Sequence, residues 1–181
     1  MSAKKLGWDN FFEAQLKTSD LSLIRARVSR QNTDNLVLLS EIGELSGVLP
    51  GKFRGKNKED LPTVGDWVLA RKLEHFEENR VLIVRVLTRR NVLVRTEIGQ
   101  EKRRQLMAAN VDRVFIVSGL DKEFNPRKIE RYLLLCWSLG LEPVIVLNKA
   151  DLIKKPESAL KKAGAIAGEV PILVLSALTG M

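Results

Sequence analysis

Four consecutive residues, Asn148-Lys149-Ala150-Asp151, set two hydrogen-bonding side chains around a long cation, directly after the apolar run Pro143 to Asn148. A second polar triplet, Ser176-Ala177-Leu178, follows the apolar run Pro171 to Ser176 in the same way. If both runs are parallel strands, both groups lie at strand carboxyl ends, the edge where an open parallel sheet binds ligands. One chemistry suits these residue types. The Asp151 carboxylate can accept two hydrogen bonds from a purine that carries an N1–H and an exocyclic amine on one edge, which is guanine and not adenine. Adenine would leave the carboxylate unpaired, and an unpaired polar group is what gives a binding site strong discrimination. Asn148 can bond the base at N7 and tie the two loops together, the Lys149 stem can lie along the ring, and the second triplet can offer a backbone N–H to O6. The candidate guanine-binding set is therefore Asn148, Lys149, Ala150, Asp151, Ser176, Ala177 and Leu178. The competing reading is that Asn148 and Asp151 cap the helix that follows, as such residues often do. The second motif, at the corresponding place after the next strand, favours base recognition.

Nucleotide hydrolysis needs a phosphate cradle as well, ordinarily Gly-x-x-x-x-Gly-Lys-Ser/Thr between a strand and a helix. The sequence contains none. Its nearest approach, Pro50 to Asn57, has proline for the first glycine and asparagine for the hydroxyl, and opens no helix. Lys52, Arg54, Lys56 and Lys58 there read instead as a basic loop for nucleic-acid phosphates, with Arg89 and Arg90 as further RNA-contact candidates. No residue of the chain is assigned to catalysis or to metal binding.

The elements that must position these groups fall into two kinds. Trp8, Phe11, Phe12 and Leu16 recur at helical spacing and predict a short amphipathic helix that docks as an arm. Five β-rich runs follow: Leu23 to Val28, Leu36 to Leu39, Leu45 to Leu49, Val64 to Ala70 and Val81 to Leu87. Turn residues separate them and no crossover helix intervenes, which indicates a small antiparallel barrel. The OB-fold is the commonest nucleic-acid-binding barrel of this size, and an SH3-like barrel is the other possibility. Trp67, inside a β-run, reads as core before it reads as a platform for stacking bases, and Phe53 is weighed the same way.

Past Leu106 the pattern changes. Asp112 to Ser118, Pro143 to Asn148 and Pro171 to Ser176 are continuous apolar runs, as in parallel strands covered on both faces. Between the first two lies a helix with Asn125 as N-cap, Pro126 at its first position and Gly140 as its stop. Ile129, Tyr132, Leu133 and Cys136 share one of its faces, and Leu134, Leu135 and Trp137 make the other side apolar too. A second helix, Pro156 to Ala167, contains Gly164 and precedes Gly168, both poor helix formers. Strand, helix, strand, helix, strand is a doubly wound α/β unit.

Composition sets the outer bounds. At 181 residues and 45% apolar content the chain can bury a substantial core. No apolar run approaches the roughly 20 residues that span a bilayer, and the start has no secretion signal, so a cytoplasmic protein with no membrane partner is expected. One cysteine excludes an internal disulfide, and with one histidine, His75, far from it in sequence, a four-ligand zinc site is not expected. Cys136, on an apolar helix face, reads as core and not as a nucleophile. Residues 1–105 hold 20 Lys and Arg against 14 Asp and Glu, whereas 106–181 hold 10 against 8. The basic excess in the first half suits a polyanionic partner.

The order of these parts, a barrel ahead of the Asn-Lys-x-Asp motif with no phosphate loop before it, is similar to that of the circularly permuted bacterial GTPases of the RsgA family, also called YjeQ or EngC. The matching stretches are Gly65-Asp66-Trp67-Val68, Arg89-Arg90-Asn91, Ala108-Ala109-Asn110-Val111-Asp112, Asn148-Lys149-Ala150-Asp151-Leu152 and Ser176-Ala177-Leu178-Thr179-Gly180. The resemblance implies an N-terminal helical arm over 1–20, an OB-fold RNA-binding domain over 21–105, and over 106–181 the first part of a circularly permuted, P-loop GTPase-like α/β domain. It implies GTP or GDP with magnesium as cofactors, and zinc in a C-terminal domain beyond Met181. It also implies GTP hydrolysis during late maturation of the small (30S) ribosomal subunit, with 16S rRNA as partner, by a monomer of which this chain would be an inactive N-terminal portion. The alternative is a non-enzymatic RNA-binding adaptor whose α/β half is scaffold only.

Overall fold

The computed structural model describes residues 2–53, 57, 60–73, 79–96, 104–122, 124–153 and 157–180. They form two compact units, Met1–Asn110 and Val111–Met181.

In the first unit, β1 (Ile24–Gln31), β2 (Leu36–Ser40), β3 (Gly43–Val48), β4 (Trp67–Lys72) and β5 (Arg80–Val86) close a barrel in the order β1-β2-β3-β5-β4. All neighbours pair antiparallel except β3 with β5, which run parallel. That order makes the barrel an OB-fold and disposes of the SH3-like alternative. Strand alternation fills the interior with Ala26, Val28, Leu36, Leu38, Leu45, Val68, Ala70, Val81 and Ile83.

The first twenty residues depart from a single amphipathic helix. They make a 3-10 turn (Ala3–Leu6), the one-turn helix α1 (Asn10–Glu13) and a second 3-10 turn (Thr18–Asp20). Gly7, at φ +92°, ends the first piece, and the Asp9 side chain caps the second by accepting from Phe11 N at 3.0 Å. Trp8 and Phe12 are buried while Phe11 is 40% exposed, so the apolar spacing does not mark one continuous stripe. Ala3, Leu6, Trp8 and Phe12 pack with Trp67, Leu69 and Leu87 on the outside of the barrel. β4 is thus buried on both faces: Val68 and Ala70 point inward, and Trp67 and Leu69 lie beneath the N-terminal segment. Trp67 is fully covered and meets Trp8 edge-on at 4.8 Å, which leaves it no face for a base.

A hairpin absent from the strand pattern, β6 (Val92–Thr96) with β7 (Arg104–Ala109), completes this unit. The expected boundary between residues 105 and 106 lies within the span of β7. Ala109 N donates to Val64 O at 2.8 Å, and Ala109 O lies where a Cβ on Gly65 would meet it at 2.0 Å. Gly65 sits at φ +89°, so the turn before β4 and the close approach of β7 both require glycine.

In the second unit, β8 (Arg113–Gly119), β9 (Glu142–Asn148) and β10 (Ile172–Val174) form a parallel sheet with β9 in the centre. α2 (Pro126–Ser138) begins with Asn125 accepting from Lys128 N at 3.3 Å and Pro126 in its first turn, and α3 (Glu157–Ala167) precedes β10. The strands advance in one direction, so right-handed crossovers place α2 and α3 on the same face of the sheet. Ile129, Leu133, Cys136, Ala163 and Ala167 are buried there with Ile116, Ile145 and Leu147. Coverage on both faces is not reached by the described residues. Phe115 at 61% and Val117 at 59% stand exposed on β8, as does Leu173 on β10, and Leu134 and Trp137 on α2 are exposed as well.

Candidate functional site

The parallel register sets Gly119 beside Asn148 and Val174 beside Leu147, so three strand carboxyl ends share one edge. Backbone bonds then lace the following loops together. Leu120 N donates to Asn148 O at 2.8 Å, and Ala150 N donates to Leu175 O at 3.2 Å.

Side chains add two further ties. The Asn148 Oδ1 accepts from Lys149 N at 2.8 Å and from Ala177 N at 3.0 Å, joining the first motif to the second. Ser176, which is 1% exposed, donates its hydroxyl to Asp151 Oδ1 at 2.5 Å and accepts from Thr179 N at 3.2 Å. Asp151 itself sits on a 3-10 turn (Ala150–Leu152) at the exposed rim. Helix capping does not account for either residue, because α3 starts at Glu157 and the bonds of Asn148 and Asp151 run to the other loop. A carboxylate fixed through one oxygen keeps acceptor capacity for a ligand on the rim.

Lys149 adopts φ +64° and ψ +38°, a left-handed turn that swings its side chain toward β8. Its Nζ lies 2.5 Å from Asp121 Oδ2. Ala177 N–H is committed to Asn148, whereas Leu178, 85% exposed, has a backbone N–H with no partner among the described residues. Asp121 and the neighbouring Gly119 escaped the sequence reading. The signal was available: they end the first apolar run, at the same edge as both motifs.

The basic candidates divide. Arg54, Lys56, Lys58 and the side chain of Lys52 lie outside the described residues. Arg89 forms a two-pronged pair with Asp66, Nε and Nη2 each 2.8 Å from a carboxylate oxygen, and also donates to Leu61 O at 2.8 Å. Asp66 is fully buried and accepts from Thr63 N as well. Arg90 pairs with Asp9 and stands over the rings of Phe11 and Phe12 at 5.2 and 5.5 Å. That hydrogen bond from Arg90 is the main reason the Asp9 carboxyl titrates below its ordinary range. Asn110 accepts from Arg90 N at 2.8 Å and donates to Gly65 O at 3.1 Å, and Arg27 reaches Gly65 O and Asn110 O. Arg89 and Arg90 are therefore built into the joint between barrel and hairpin. Phe53 is buried, and burial pushes the Cys136 thiol up, consistent with a core residue.

An OB barrel ahead of a parallel α/β unit with these strand-end loops is the arrangement of a circularly permuted GTPase. A family model described as RsgA GTPase matches residues 86–181, and the chain belongs to that family. It is 36% identical over 189 residues to the small ribosomal subunit biogenesis GTPase RsgA of Syntrophotalea carbinolica, covering 99% of this chain and 51% of that protein. The protein of the same name from Mesorhizobium japonicum is 38% identical over 176 residues, covering 97% and 47%. The chain spans about half the length of the curated relatives it matches. Among solved structures, YjeQ from Thermotoga maritima superposes with a TM-score of 0.66 at 29% identity, covering 88% of this chain and 54% of that one. YloQ, a circularly permuted GTPase, shares the fold at a TM-score of 0.61 and 18% identity, covering 90% and 55%.

Proposed function

We propose that the second unit holds the guanine base of GTP or GDP, within a GTPase that serves late maturation of the small ribosomal subunit in the cytoplasm. The observation that carries this reading is the pair of side-chain ties, Asn148 to Ala177 and Ser176 to Asp151, which bring both motifs to one rim. Asp151 accepts from N1–H and the 2-amino group, Asn148 addresses N7, the Lys149 stem covers one ring face, and Leu178 N–H is the donor for O6. The ribosomal role rests on relatives named for small ribosomal subunit biogenesis, and the first unit, an OB barrel in the more basic half of the chain, is proposed to contact 16S rRNA. Lys52, Arg54, Lys56 and Lys58 are the proposed phosphate contacts.

Hydrolysis needs a phosphate loop, which this sequence lacks, so the 181-residue chain is proposed to bind guanine nucleotide weakly and to have no turnover. Among the described residues no group of three or more His, Cys, Asp or Glu side chains could hold a metal. Magnesium is proposed to accompany GTP or GDP in the whole GTPase. The proposal is tested by titrating the isotopically labelled chain with GDP and with ADP while following amide resonances. Shifts confined to residues 148–151 and 176–178, seen with GDP and not with ADP, are expected. Equal response to both nucleotides, or sustained GTP hydrolysis by the purified chain, would refute it.

A further inference from the structure

Lys149 is held in place before any ligand arrives, and the residue that holds it belongs to neither motif. Beyond the end of β8, Leu120 is pinned to Asn148 O, and Phe124 N donates to Asp121 O at 3.1 Å, closing a turn that presents the Asp121 side chain to β9. Gly119 supplies the room. A Cβ there would stand 2.7 Å from Asp121 Oδ1 and 3.4 Å from Lys149 Cδ, so the carboxylate and the lysine stem lie over bare backbone. The Asp121 side chain is 22% exposed and that of Lys149 49%.

An ion pair this open to water contributes little to folding stability. Its consequence is geometric. A free lysine is among the side chains with most rotamer freedom to lose, and a group ordered in advance loses less of it when the ligand binds. We infer that Asp121 is a positioning residue for the nucleotide site: through its ion pair with Lys149 over Gly119 it lays the lysine stem along the strand-end rim where the guanine ring stacks. The inference rests on the guanine reading of Lys149. Asp121 itself touches no part of the base.

The test is a double-mutant cycle on the 181-residue chain, with GDP as the probe and amide resonances as the readout. Asp121→Asn keeps the size and removes the charge, and should raise the Kd for GDP about 3- to 10-fold at low salt. That penalty should shrink as salt screens the pair. Asp121→Glu should restore at least half of the lost affinity. In a Lys149→Met background, which keeps an unbranched apolar stem without the ammonium, Asp121→Asn should have no further effect, because the partner through which it acts is gone. An unchanged Kd for Asp121→Asn, or a penalty that persists in the Lys149→Met background, would overturn the inference. If GDP fails to shift residues 148–151 and 176–178 of the unmodified chain, the guanine reading falls first and this inference with it. Clear GDP shifts with a neutral Asp121→Asn remove only the positioning role.

Discussion

The two units use the residues that carry the family resemblance in opposite ways. In the first, Gly65, Asp66, Arg89 and Asn110 are spent on the fold: Asp66 is fully buried, Arg89 grips it with two bonds, and Asn110 ties Gly65 to Arg90. In the second, Asp151 and Lys149 stand at an exposed rim, tied to Ser176 and Asp121, and Leu178 has a backbone donor with no partner among the described residues. Motif residues whose bonding capacity is exhausted inside the molecule build architecture. Those fixed in direction but left with capacity to spare are equipped to meet a ligand.

The contrast breaks most readily at Asp66. Asp66→Ala removes the buried carboxylate that both Arg89 and Thr63 N–H bond, and should destabilise the first unit by about 3 kcal/mol, read as a lowered urea midpoint. The equally charged-to-neutral change Asp151→Ala, at the rim, should destabilise the second unit by less than about 0.5 kcal/mol, read from that unit's own urea transition. Comparable losses at both positions would erase the distinction.

Next in size is the basic loop. Replacing Lys52, Arg54, Lys56 and Lys58 together should flatten the log–log salt dependence of RNA binding by about 3, roughly 0.7 for each lost phosphate contact on single-stranded RNA. An unchanged slope would place the RNA surface elsewhere on the barrel. Asn148→Ala, which unties the two loops, should cost about 1 kcal/mol and speed hydrogen exchange at Ala177 N–H.

The smallest effect belongs to Asp9. Its folded carboxyl titrates below the unfolded value of about 4, so its contribution is present above that pH and is lost as pH falls through the lowered folded value. Both partners are about half exposed, and screening limits the effect to a few tenths of a kcal/mol. The acid loss of stability should therefore be slightly shallower in Asp9→Asn, with the difference confined to the region below about pH 4.

The barrel strands and α2 were legible because their signals are local: period-two alternation filling one interior, and Asn125, Pro126 and Gly140 marking helix ends. The N-terminal segment docks as its apolar residues predict but is broken into short turns, because Trp8 and Phe12 follow the outside of the barrel, so helical spacing arises without one continuous helix. The β6–β7 hairpin was missed because its pairing depends on Ala109 reaching Val64 and Gly65, more than forty residues away in sequence. The same holds at the rim. Asn148, Asp151 and Ser176 could be named from strand-end position, whereas the Asp121–Lys149 pair spans 28 residues and required the sheet register to bring it together.

The base-recognition claim is tested most directly by Asp151→Asn, with GDP and xanthosine diphosphate compared on the same protein. A carboxylate accepts from the guanine 2-amino group, while the asparagine amide can donate to the xanthine C2 carbonyl in its place. The unmodified chain should prefer GDP, and Asp151→Asn should reverse that order. A preference that stays with GDP after the substitution would contradict the assignment of Asp151 to the base.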